Sequence, residues 1–137
     1  MISSGPLEDR LAIRELVESY NDAVMRFDAD AWAENWIDEG VWSLPGMGEV
    51  AGKEKIVPLW KMATGSYTVG GFFASAGPIV VHGDHAHGTW YQQELLMKDG
   101  IKNFIVGEYS DDYVKRDGRW YFAKRVYAIR HREETPL

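Results

Sequence analysis

The chain has 137 residues, enough for one domain that buries about two thirds of the surface its unfolded form exposes. Its 15 Lys and Arg against 21 Asp and Glu leave a net charge of −6, which argues against a nucleic-acid partner held by its phosphates. With no cysteine, disulfides, thiolate zinc sites and cysteine nucleophiles are excluded. No apolar run approaches the roughly 18 residues of a membrane span, and "MISSGPLEDR" lacks the basic and apolar regions of a signal peptide; a cytoplasmic protein with no membrane partner is expected. The 6 Trp, 7 Tyr and 5 Phe fit either an aromatic core or a pocket for a bulky apolar ligand.

After Pro6, the residues Ile13, Leu16, Val17, Tyr20, Val24 and Phe27 recur at helical spacing, predicting a first helix of about twenty residues. Tyr20 falls in the middle of that apolar stripe, and Asp22 nearly opposite it. A short second helix is expected over 30 to 37, burying Trp32 and Trp36, with Asp28 as its cap. "EGVWSLPGMGEVAGKE" reads as a strand around Trp42, a Pro/Gly turn and a glycine before a helix at 53 to 63. From there the period changes to that of strands. "SAGPIVVHGD", "HAHGTWYQQELLMKDG", "IKNFIVGEYSDDYVKRDG" and "RWYFAKRVYAIRH" form a meander with Asp-Gly turns, and "REETPL" reads as a loose tail. Helices first and strands afterwards predict an α+β domain in which a curved, mostly antiparallel sheet wraps over the N-terminal helices. Residues 1–137 read as one such domain.

His82, His85 and His87 lie within six residues, but they flank a turn and bring at most two ligands together, so no metal is expected. No phosphate-binding glycine loop, nucleophile elbow or dinucleotide fingerprint is present, so no cofactor is expected. Strand parity is more informative. Trp90, Gln92, Glu94 and Leu96 share one face of their strand, Asn103, Ile105, Gly107, Tyr109, Asp111 and Tyr113 one face of the next, and Arg125, Tyr127, Ile129 and His131 one face of the last. Periodicity leaves open which face is concave. If it is this one, a carboxylate, a phenol and a guanidinium enter an apolar cavity, where an unpaired carboxylate becomes a candidate general base. The alternative is that Arg125 merely braces the sheet through Glu94 or Asp111.

"GEYSDDYVKRDGRWYFAKR", residues 107 to 125, resembles the G-x-Y-x-D-x-[YL]-x-R-x-D-G-x-W-x-[FI]-x-x-R pattern of SnoaL-like proteins in the NTF2-like superfamily. "IRELVESYNDAVMRFDADAWAENW", "VWSLPGMGEVAGKEKI" and "IVVHGDHAHG" resemble that family's first helix, first strand and I-x-V-x-G-D-x-A strand start, so the likeness runs over about residues 7 to 130. It implies a cone-shaped α+β barrel with an apolar pocket, assembling as a homodimer or homotrimer. Relatives include scytalone dehydratase, hexachlorocyclohexane dehydrochlorinase, ketosteroid isomerase and non-catalytic binders. The Asp-His dyad of the dehydratase and dehydrochlorinase branch maps onto Met25 and Phe72, neither of which exchanges a proton; the isomerase base falls near Leu44. Three polar positions carry over: Tyr20 matches an oxyanion donor, Glu94 a pocket-facing acid, and Arg125 an arginine beside the substrate.

The resemblance implies a cofactor-independent lyase for a small apolar, aromatic or polycyclic molecule, working by elimination or retro-aldol cleavage. Glu94 is the expected acid or base, Tyr20 and Tyr109 the expected oxyanion donors, and Arg125 the expected source of positive charge. Trp42, Met25, Phe72 and Ile129 are expected to wall the pocket, with Gln92, Ile105, Tyr127 and His131 completing its lining. An enolising isomerase, or a non-catalytic binding or accessory subunit, is the competing reading.

Overall fold

A computed structural model describes residues 1–137. The first helix, α1 (Leu7–Arg26), buries Ile13, Leu16, Val17, Tyr20, Ala23 and Val24 along one stripe, worth about 1.5–3 kcal/mol for each large side chain removed from water. It ends at Phe27, which takes the left-handed conformation at φ 52°. Asp28 then caps α2 (Ala29–Glu34) by accepting from the Ala31 amide at 3.0 Å. This helix is shorter than its tryptophan spacing suggests: Trp36 already belongs to β1 (Trp36–Leu44), although both tryptophans are buried as expected. A hairpin leads to a strand that the alternation did not reveal, β2 (Gly48–Ala51), and Gly52 precedes α3 (Lys53–Gly65).

Four long strands follow: β3 (Thr68–His82), β4 (His85–Lys98), β5 (Ile101–Arg116) and β6 (Arg119–Pro136). Their two Asp-Gly turns have positive φ at both residues, 51° and 74° at Asp99 and Gly100, 50° and 77° at Asp117 and Gly118. That geometry matches the right-handed twist of the flanking strands and fixes their register. The strands form one open, curved sheet in the order β2-β1-β6-β5-β4-β3, antiparallel except where β1 meets β6. One face carries the buried core against α1, α2 and α3.

Two features of β6 depart from the sequence reading. The tail is not loose, because residues 131 to 136 pair with 101 to 106 of β5. The register also slips between Val106 and Gly107, whose partners are His131 and Ile129. The extra residue reverses the facing of everything after it. At the other end, Asp9 of α1 accepts from Lys115 Nζ at 3.1 Å and Trp120 Nε1 at 3.0 Å, tying the helix start to the sheet. No helix is long and apolar enough to cross a membrane.

Candidate active site

Alternation along β4 leaves Trp90, Gln92 and Glu94 buried and Tyr91 and Gln93 exposed, so the concave face is the one carrying Glu94. Glu94 lies in the wall of a cavity of about 170 Å³, between α1, α3 and the sheet. The helices supply Tyr20 and Val24 from α1, one turn apart, and Trp60, Ala63 and Thr64 from α3. Trp42 and Leu44 come from β1, Val69 and Phe72 from β3, Leu96 from β4, Tyr109 from β5 and Tyr127 from β6, with Tyr67 at the start of the β3 side. The volume is close to that of a cavity known to hold benzene, about 150 Å³, so it suits one ring.

Glu94 is the only carboxylic acid in this wall. It is 8% exposed, and burial in apolar surroundings pushes its pKa up to about 7, against the opposing pull of one hydrogen bond. That bond comes from the Tyr127 hydroxyl, which donates to Oε2 at 3.2 Å. No protein donor meets Oε1. Near neutral pH the group is therefore divided between acid and carboxylate, as a proton-transfer group must be. Burial also raises the pKa of Tyr20, Tyr109 and Tyr127 above that of ordinary tyrosine, keeping them neutral donors.

Arg125 is fully buried but stands behind the wall. It grips Asp111, its direct cross-strand partner, with Nε to Oδ1 at 2.7 Å and Nη2 to Oδ2 at 3.1 Å. The guanidinium carbon lies 3.7 Å from the Tyr109 ring centroid and 4.4 Å from that of Tyr20. Burial works against the arginine's charge, but Asp111 outweighs it and its pKa stands above the ordinary value. Burial holds the Asp111 pKa above the ordinary carboxylate value, although Arg125, which does not deprotonate, pulls it down through this two-pronged contact. Tyr113 donates to Asp111 at 2.8 Å and receives from Trp90 Nε1 at 2.9 Å, completing a buried chain. Of the two partners considered for Arg125, the structure gives Asp111 and not Glu94.

Six of the expected site residues meet at the cavity: Glu94, Tyr20, Tyr109, Tyr127, Trp42 and Phe72. Gln92 and Ile105 are buried next to Glu94, on its own strand and directly across from it, without reaching the cavity. Both polar atoms of the Gln92 amide lack a protein partner. Besides Gln92, Ile105 and Arg125, which were expected at the pocket and stand outside its wall, three further expectations are corrected. Met25 is 40% exposed, because it is turned about 100° around the helix from Val24 and points away from the wall. Ile129 is 42% exposed, since β1 accompanies β6 only as far as the Ser43 to Val126 pair and leaves it uncovered. His131 is turned to the other face by the register slip, where its Nε2 lies 2.8 Å from Glu133 Oε1. The contribution of α3 was missed; the spacing of Trp60, Ala63 and Thr64 marks one helix face, but nothing in it points to a cavity. No three His, Asp or Glu side chains gather in a metal-binding group.

The open, curved sheet closed over by helices, with an apolar cavity between them, defines an NTF2-like α+β cone. The chain belongs to the SnoaL-like domain family, whose model matches residues 5–126. Among solved structures it resembles LinA at 25% identity, over 96% of this chain and 90% of that chain, with a TM-score of 0.79. Hexachlorocyclohexane dehydrochlorinase LinA-type3 from Novosphingobium barchaimii LL02 shows 24% identity over 96% and 91%, with a TM-score of 0.78. A ketosteroid isomerase-like protein from Erwinia carotovora atroseptica shows 17% identity over 92% and 99%, with a TM-score of 0.83. No curated protein sequence matches the chain.

Proposed function

We propose that this protein is a cofactor-independent lyase acting on a small, neutral, single-ring molecule. The observation that carries the reading is Glu94: one carboxyl in an apolar cavity, held at Oε2 and open at Oε1, with a pKa of about 7. In the carboxylate form, Oε1 takes a proton from a substrate carbon. The C–H electron pair becomes the new double bond, and the leaving group departs with its bonding pair. Tyr20 and Tyr109 supply neutral hydroxyl donors for the developing anion. The proton on Glu94 then passes to the departing oxygen or to water. Trp42 and Phe72 keep the carboxyl poorly hydrated. Arg125 acts through Tyr109 and Tyr20, whose ionised forms its charge favours.

A second reading, an enolising isomerase, is favoured by there being a single carboxyl in the wall, because one residue can both remove a proton and return it to another carbon. The test is a panel of one-ring substrates with a leaving group β to an acidic C–H, assayed beside unsaturated ketones for isomerisation. Loss of turnover in Glu94→Gln with retained ligand binding supports the enzyme reading. If no compound is converted and Glu94→Gln leaves ligand affinity unchanged, the cavity is a binding site only.

A further inference from the structure

The Tyr127 hydroxyl reaches Glu94 by lying across Gly107 of the neighbouring strand. A Cβ built on Gly107 would overlap the Tyr127 hydroxyl and ring, approaching Cε1 to 2.6 Å. Gly107 is flanked in register by Gln92 on β4 and Ile129 on β6, so a side chain there would have to point into the space that the tyrosine fills. Its φ is not positive, so a left-handed backbone is not what calls for a glycine, and the extra residue of the neighbouring slip lies on β6, not at Gly107 itself. The reason is room. Tyr127 is itself pinned from behind, with its ring centroid 4.6 Å from that of Tyr109.

We propose that Gly107 is a positioning residue: its missing side chain is the seat that lets Tyr127 hold one oxygen of Glu94 and so sets the proton affinity of that carboxyl. The proposal rests on the reading of Glu94 as the acid–base group. The titratable groups facing Glu94 across the cavity are Tyr20 from α1, Tyr67 from the segment before β3, Tyr109 from β5 and Tyr127 from β6; Trp60, Ala63, Thr64, Trp42, Leu44, Val69 and Phe72 add none. Only Tyr127 makes a hydrogen bond to it. Removing that bond strips the carboxylate of its one protein donor while leaving its burial unchanged, so the acid form gains.

The experiment is a carboxyl-carbon NMR titration of glutamate-labelled protein, which needs no substrate. Tyr127→Phe is expected to raise the Glu94 midpoint by about one unit, the size of one hydrogen bond to a charged group. Gly107→Ala is expected to raise it similarly, and to add nothing in the Tyr127→Phe background. A Gly107→Ala protein with an unshifted midpoint, or one whose shift adds to that of Tyr127→Phe, overturns the proposal. A wild-type midpoint in the ordinary glutamate range instead removes the functional reading of Glu94. Should Gly107→Ala fail to fold, melting of Gly107→Ala/Tyr127→Leu decides: the shorter side chain vacates the seat, so this protein should melt with Tyr127→Leu alone. If it too fails to fold, Gly107 is needed for something other than Tyr127 and the proposal falls.

Discussion

Asp111 and Arg125 face each other directly across β5 and β6, gripped at 2.7 and 3.1 Å with both side chains sealed from water. Breaking such a pair strands a charge, whereas replacing both partners removes the penalty. Arg125→Met should therefore cost about 3–5 kcal/mol of stability, and Asp111→Asn in that background should restore a large part of it. Urea denaturation of the two variants checks this; a double variant no more stable than Arg125→Met would show that the loss comes from packing alone.

The Glu94 midpoint of about 7 gives the pH dependence of turnover its sign. The carboxylate is the proton-accepting form, so kcat/KM for proton abstraction should rise through about pH 7 and level off above it. A profile flat from about pH 5 to 9 would remove Glu94 from the rate-limiting proton transfer.

The same group links stability to pH. Its folded pKa lies above the 4.5 of a free glutamate, so the folded state binds the proton more tightly and stability falls as pH rises between those two values. Above about pH 7 the cost of holding the buried charge is fully present, on the order of 3 kcal/mol. Glu94→Gln should thus be more stable than wild type at pH 8, with the difference shrinking toward pH 4.5. Thermal melts across that range are the measurement, and a constant difference would contradict the burial-driven shift.

Met25 and Phe72, which occupy the dyad positions implied by the family resemblance, have unlike surroundings. Phe72 is 6% exposed in the cavity wall, and Phe72→Ala should cost about 3–5 kcal/mol while altering ligand affinity. Met25 points outward, so Met25→Gln should change stability by about 0.5 kcal/mol or less and leave affinity as it was. Denaturation and ligand titration of the two variants distinguish these roles.

Much of the fold was legible because its signals are local. The α1 stripe and the two Asp-Gly turns each follow from a few neighbouring residues, and alternation grouped Glu94 with Gln92 and Tyr109 with Asp111 before either face was known to be concave. What was hidden depends on register or on distant cover. Choosing Asp111 over Glu94 as the partner of Arg125 requires knowing which residues stand opposite across the β5–β6 ladder. The slip that turns His131 away adds one residue to β6 between Ile129 and His131, where no glycine or proline marks it; Gly107 stands opposite on β5, but its place in the alternation gives no sign of a slip. The tail escaped notice because its ordered residues are exposed on both faces and show no apolar alternation. Trp36 mimicked a helical partner of Trp32, yet its burial is completed by packing on Phe122 of β6.

The free Oε1 of Glu94 makes ligand capture an exchange of protons with the buffer. A ligand that only displaces water from around this oxygen disfavours the carboxylate further and draws a proton in. One that donates a hydrogen bond to it favours the carboxylate and drives a proton out. Near pH 7, where the group is half ionised, calorimetry in buffers of different ionisation enthalpy would read the sign directly. That sign identifies which kind of chemical group has met the carboxyl, with no turnover required.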